Sequence, residues 1–236
     1  MHLTTPLYRL KRQAKRLARQ DAIPLHQALD RTAAGIGFRS WSHLSAAATA
    51  TSPAAQLLTR LSPGDMVLMA ARPGQGKTLL ALEMAARAGE IGRAGAVFSL
   101  DYHEAEVTAR LAELGVAKAA PIHLDTSDEI DADHIIRWLA GTDGKVVLAV
   151  DYMQLLDQRR STPALQPQVT ALRRAVKDHG AICLMLSQVH RAFDLSVKAM
   201  PGPADIRLPN PLDLGLFDRC CFLHDGRITL DGPNTG

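Results

Sequence analysis

Two hydrophobic periods alternate along this chain. Short uninterrupted apolar runs at residues 66 to 71, 95 to 100, 146 to 151 and 181 to 187 predict strands buried on both faces. Between them, residues 78 to 91, 103 to 115, 131 to 140 and 167 to 179 place apolar side chains three and four apart, which predicts amphipathic crossover helices. Alternation of this kind from Leu61 onward predicts an α/β fold, a mostly parallel twisted sheet flanked by helices. The first residues differ. Leu7, Leu10, Ala14, Leu17 and Ala18 fall at helical spacing, while Arg9, Lys11, Arg12, Lys15, Arg16 and Arg19 cover the rest of that surface. A second helix is expected from Pro24 to near Gly35, and a third after Ser40 with Trp41 and Leu44 facing inward. Ala46 to Pro53, rich in Ala, Thr and Ser, reads as a linker. The chain thus divides into a small basic helical segment, residues 1–50, and an α/β domain, residues 51–236.

Composition narrows this picture. With 236 residues there is room for one sizeable core and a small appendage. A 47% hydrophobic and 22% charged composition is that of a soluble globular protein. No apolar run is long enough to span a bilayer, and the N-terminal residues lack the apolar core of a secretion signal, so a cytoplasmic protein is expected. Cys183, Cys220 and Cys221 all lie in predicted strands without metal-ligand spacing, which predicts buried thiols. His103, His123, His134, His179 and His190 show no metal spacing either. Ser187 and His190 lack the glycine-flanked turn of a hydrolase nucleophile. The net charge of +3 is unevenly spread, since residues 1–50 hold eight Lys or Arg against two Asp. That basic face suits a phosphate backbone, or a solvated surface, or docking on the acidic surface of a neighbouring subunit.

The chemistry gathers where the apolar runs stop, as it does in parallel sheets generally. After the run Met66 to Ala71 come Arg72-Pro73-Gly74-Gln75-Gly76-Lys77-Thr78 and then the helical pattern opened by Leu79. A strand, a glycine-rich turn ending in Lys-Thr, and a helix together form the Walker A arrangement. Gly74 and Gly76 let successive backbone N–H groups close around phosphate oxygens at the positive end of the helix. Arg72, Pro73, Gly74, Gln75, Gly76, Lys77, Thr78 and Leu79 are therefore the candidate ATP-binding residues. Lys77 would reach the outer phosphates and Thr78 would offer its hydroxyl to Mg2+. The strand Val146 to Asp151 ends in a carboxylate, the Walker B pattern, so Asp151 joins Thr78 as a candidate metal ligand. Asp101 ends the run at 95 to 100, and Glu104 follows one turn later. Either could orient an attacking water, or both could be a helix cap and first-turn acid. Gln188, after Cys183 to Ser187, could sense the outer phosphate.

These stretches, taken in order, resemble a known family. Leu61-Ser62-Pro63-Gly64-Asp65 leading into ARPGQGKT, FSLDY at 98 to 102, VDYMQLL at 150 to 156, LSQVHR at 186 to 191 and DIR at 205 to 207 look like the C-terminal ATPase domain of replicative DnaB-type helicases. The likeness spans residues 57 to 236. It implies a RecA-like fold and a ring, usually a hexamer, whose nucleotide sits between subunits and whose loops line a pore for single-stranded DNA. It implies that Lys77 and Thr78 bind phosphate and magnesium, that Asp151 is the Walker B acid, and that Gln188 couples nucleotide state to the following loop. Arg159 and Arg160 after Asp151, with Arg191, Lys198 and Arg207 after Gln188, are the candidate DNA contacts on the same grounds.

Departures from the family's pattern are equally specific. The family has a glutamate where this chain has Asp101, one methylene shorter, and a displacement of about an ångström can cost on the order of a hundredfold in rate. The family supplies a Lys and an Arg from a late strand to the neighbour's nucleotide, whereas Ile228 and Leu230 stand near those positions and Arg227 is the remaining candidate. Asp225-Gly226 predicts a tight hairpin. The short basic segment stands in place of the family's large N-terminal domain, and its first helix is expected to dock on an adjacent ATPase domain. Two readings follow: a DNA-stimulated, ring-forming ATPase with helicase-like activity, or a shortened and weakly hydrolysing paralogue that binds ATP to assemble or regulate.

Overall fold

A computed structural model describes residues 7–50, 52–100, 102–114, 116, 121–153, 156, 163–190, 193, 198–208 and 210–232. Three helices come first, α1 (Leu7–Gln20), α2 (Leu25–Ala34) and α3 (Trp41–Ala50). Leu10, Ala33 and Leu44 bury against one another with Phe38 and Trp41 beside them, so the expected inward residues do form a small core. The opposite side of α1 leaves Arg12, Lys15, Arg16 and Arg19 exposed as a single stripe. α2 starts after Pro24 and stops at Gly35, as its punctuation predicts.

The expected linker is a correction. Residues 46 to 50 complete α3, because a run of Ala favours the helix more than the interspersed Ser and Thr oppose it. A fourth helix, α4 (Pro53–Leu58), opens with Pro at its first position and with the Ser52 side chain accepting from the Ala54 N–H. Ser52 also donates to Glu83 at 2.6 Å, and Glu83 in turn holds the buried Arg87 at 2.8 Å. The segment is thus tied into the larger domain.

That domain alternates β1 (Met66–Ala71), α5 (Lys77–Ala86), β2 (Ala94–Ser99), α6 (Glu104–Leu114), β3 (Ile122–Asp125), α7 (Ala132–Ala140), β4 (Val146–Asp151), α8 (Leu165–His179), β5 (Ile182–Gln188), β6 (Arg219–His224) and β7 (Arg227–Asp231). Among the described residues seven strands form one sheet in the order β3-β2-β4-β5-β1-β6-β7, parallel except for the final β6–β7 hairpin. The predicted α/β architecture is therefore observed, and the four expected strands occupy its centre. Strand alternation sends Met66, Leu68 and Ala70 to the side covered by α7 and α8, and Val67, Met69 and Ala71 to the side covered by α4 and α5. Where β2 closes on α5, Gly95 leaves no room for a side chain. A Cβ there would lie 2.1 Å from the Ala85 carbonyl oxygen. The predicted hairpin is present, with Asp225 and Gly226 at φ 47° and 73°. α1 lies alongside α6 of its own chain.

Asp218 fastens the starts of β1 and β6. It accepts from the Met66 N–H at 3.0 Å and from Arg173 at 3.0 and 3.1 Å, with Lys177 at 3.3 Å. Burial alone would raise its pKa, but the Met66 N–H, Arg173 and Lys177 together hold the carboxyl below its ordinary value. A lowered native pKa means stability that is present above the ordinary carboxylate range and lost as pH falls through the native value. Asp218→Asn is therefore expected to lower stability at neutral pH by about 1–3 kcal/mol, with the gap to wild type closing below about pH 4 in denaturant titrations.

All three cysteines are buried and unpaired. Burial pushes the Cys183 and Cys221 thiols up to about 12 and Cys220 to about 11. Thiolate is the reactive form. A thiol-specific reagent at neutral pH should label none of the three in the folded protein and all three after denaturation.

Candidate functional site

β1 ends at Ala71, and the chain turns through Arg72 to Gly76 before α5 begins at Lys77. Gly74 and Gly76 hold φ of 79° and 85°, a backbone region that favours glycine. Nothing lies within 4 Å of a Cβ built on either residue, so the space over the loop is open. The loop and the first turn of α5, from Arg72 to Leu79, form one wall of a cavity of about 430 Å³. Its other wall comes from Tyr102, Arg110, Asp151, Tyr152 and Gln188.

Sheet order explains why these residues meet. β5 lies between β1 and β4, and its Gln188 is in register with Ala71 at the end of β1. Asp151 ends β4 at the same edge. Lys77 Nζ sits 3.3 Å from Asp151 Oδ1, with the two side chains only 12% and 5% exposed. A helix N-terminus, an ammonium group and open N–H donors around glycines can take a polyphosphate. A hydroxyl at Thr78 and a carboxylate at Asp151 are hard oxygen donors of the kind that Mg2+ prefers. The residues present thus fit both groups. Lys77, Thr78, Asp151 and Gln188, drawn from three separate sequence stretches, line this one cavity.

Other candidates are placed differently. Asp101, Arg159, Arg160 and Arg191 lie outside the described residues. Glu104 opens α6 in its first turn, where an acid suits the helix N-terminus, and is exposed outside the described cavity wall. Lys198 is paired with Asp205 at 3.4 Å. Arg207 is exposed, and its backbone N–H donates to the Gln188 carbonyl at 2.7 Å. The His190 N–H donates to the Asp205 carbonyl at 2.8 Å, and Val189 bridges Ile206, so the DIR stretch is stitched directly to the strand that carries Gln188. Ile228 and Leu230 pack into the core on the α4–α5 side, where a cation would be buried, while Arg227 stays exposed.

Sequence reasoning missed Tyr102, Arg110 and Tyr152. The Arg110 guanidinium lies 5.6 Å from the centre of the Tyr102 ring, a cation–π arrangement that holds the far wall of the cavity. The available signal was helical spacing, because Arg110 follows the buried Val107 by three positions on α6.

A mostly parallel seven-stranded sheet, with a glycine loop after the strand fifth in its order, is the RecA-like α/β fold. Residues 49–117 match the family described as DnaB-like helicase C terminal domain. The chain is 26% identical over 216 residues to the replicative DNA helicase DnaB of Leifsonia xyli subsp. xyli (strain CTCB07), a match covering 77% of this chain and 47% of the relative. It therefore spans about half the length of that protein. Among solved structures, one described as an ATPase domain is similar with a TM-score of 0.56 at 19% identity, covering 72% of this chain and 74% of the other. A DnaB-like replicative helicase, solved in a study of its interactions with primase, has a TM-score of 0.58 at 18% identity, covering 91% and 65% respectively. The resemblance to the C-terminal ATPase domain of DnaB-type helicases, read first from the motifs, is borne out.

Gly76 offers a test of the loop. With open space but a left-handed backbone, Gly76→Ala should cost about 1–2 kcal/mol from φ alone, lowering Tm by about 2–8 °C. The far-ultraviolet circular dichroism spectrum should stay unchanged.

Proposed function

We propose that this chain is a Mg-dependent, ATP-binding ATPase of the DnaB-like kind, assembling as a hexameric ring and coupling nucleotide turnover to single-stranded DNA. The observation that carries the reading is the approach of Lys77 to Asp151, with Thr78 beside them, in a cavity walled by the glycine loop. On this reading Arg72 to Leu79 are a Walker A loop, and the backbone N–H groups around Gly74 and Gly76 hold the phosphates. Lys77 leaves Asp151 for the outer phosphate oxygens, which frees the carboxylate as a metal ligand alongside Thr78. Bound Mg2+ supplies neutralisation of the charge on the outer phosphates.

Asp101 orients the attacking water, and its shorter side chain makes turnover slow relative to a glutamate in that place. Gln188 stands where the outer phosphate ends, and the bond its carbonyl accepts from the Arg207 N–H supports a mechanical link from nucleotide to the loop beyond. Arg159, Arg160, Arg191, Lys198 and Arg207 are the proposed DNA contacts, with Lys198 leaving Asp205 to serve. No described helix is long and apolar enough to cross a membrane, and a cytoplasmic setting is part of the proposal.

ATP turnover measured with and without single-stranded DNA, beside Lys77→Ala, tests the reading. DNA-stimulated hydrolysis lost by at least about a hundredfold in the variant is expected, since Lys77 acts on the charge that develops at the outer phosphate. Nucleotide binding with negligible turnover would instead mark the chain as an assembly or regulatory module.

A further inference from the structure

In the 14 residues of α1 there are six Lys or Arg and no Asp or Glu. A helix face that is merely solvated usually interleaves the two signs, because opposite charges three or four residues apart stabilise it. Here the neighbours are alike. Arg12 stands beside Lys15 and Arg16, and Arg19 stands beside the same two, so each pair works against the helix. All four side chains are exposed, and none makes an ion pair or a side-chain hydrogen bond among the described residues. α6, which lies alongside α1, carries Glu104, Glu106 and Glu113 at exposed positions, yet no ion pair joins the two helices among the described residues. The chain's own acids leave the stripe unneutralised.

The stripe is also regular. Leu10 and Ala14 are buried on the inward side of α1, and Leu10 belongs to the small core shared with Ala33 and Leu44, so the outward side is fixed. At about 100° and 1.5 Å per residue, the four cations fall within about 100° around the helix and about 10 Å along it. A DNA duplex presents one phosphate per about 3.4 Å of its axis on each strand, so that length matches about three phosphates of one strand. Single-strand binders add aromatic platforms on which bases stack. The other exposed positions described on α1 are Gln13 and Gln20, whose amides can donate to phosphate but provide no ring.

We infer that the exposed face of α1 is a docking surface for the phosphate backbone of double-stranded DNA, read without regard to sequence. The surface is separate from the nucleotide cavity, which no residue of α1 lines. It is separate too from the single-strand contacts proposed after β4 and β5. A chain with both holds duplex on its helical segment and single strand on its loops, which suits a protein working where the two meet.

Fluorescence anisotropy on the full chain, with a labelled mixed-sequence duplex of about 30 base pairs and with one of its strands alone, tests this. One variant is Arg12→Ala/Lys15→Ala/Arg16→Ala/Arg19→Ala, and a second, Arg12→Lys/Arg16→Lys/Arg19→Lys, keeps the charge. Alanine is the best helix former and the substitutions remove like-charge neighbours, so α1 stays folded. The alanine variant should bind duplex at least about tenfold more weakly than wild type at about 50 mM salt. Its salt slope should be flatter by about three to four, about one for each phosphate contact removed. The lysine variant should match wild type. Mg-ATP affinity and mass on a sizing column should be unchanged in both, and single-strand affinity should fall less than duplex affinity. An alanine variant with wild-type duplex affinity and slope would overturn the inference and leave the stripe a solvated face. A loss as large or larger for the single strand would overturn it, as would a lysine variant as weak as the alanine one. A smaller assembly in the alanine variant would make the stripe a contact between subunits instead. Wild type that binds no duplex would overturn the inference while leaving the nucleotide site standing.

Discussion

One ion contact organises this molecule. Lys77 comes from the start of a helix and Asp151 from the end of a strand two places away in the sheet, yet they meet at 3.3 Å in near-complete burial. Two charges in such a place need each other, because removing either leaves the other desolvated and uncompensated. Their meeting requires β1, β5 and β4 to end close together, and the parallel registers bring the three ends within about two residues of one another, Ala71 pairing with Gln188 and Val150 with Met185. It also requires α5 to start immediately after the loop, which the positive φ values of Gly74 and Gly76 allow.

The two faces of the sheet divide the remaining labour. On one side α5, with α4 fastened to it through Ser52, Glu83 and Arg87, fixes the loop's helix. On the other, α8 is fastened to the sheet by Arg173 and Asp218 and supports the segment that runs from β5 to β6. That segment returns to Gln188, whose carbonyl accepts from the Arg207 N–H, so residues 205 to 207 are tied to the end of β5 by backbone hydrogen bonds.

The β6–β7 hairpin closes this edge of the sheet with apolar packing. Ile228 and Leu230 face inward from β7 onto the layer of Leu57 and Met84, Leu230 buried and Ile228 half-buried. Apolar residues there strengthen the hairpin, while Arg227 at its open end keeps its charge exposed. On this edge of the sheet the hairpin is thus apolar toward the core, with Arg227 exposed at its tip.

Much was readable before folding. The apolar runs placed β1, β2, β4 and β5 within a residue or so, because a strand buried on both faces leaves an unbroken hydrophobic signature. The glycine loop, Lys77, Thr78 and Asp151 were readable because their chemistry depends on residue type and on adjacency to strand ends. β3 and α4 were not, being short and only partly apolar, and the Ala-rich stretch before Pro53 was misread since low complexity is shared by linkers and helices. Tyr102 and Arg110 gain meaning only from neighbours distant in sequence. Residue types and local periods therefore determined which elements form and where phosphate chemistry could reside, since both depend on interactions within one or two turns of chain. Strand order decided which elements stand on either side of the loop, and that is a property of long-range pairing that no local stretch encodes.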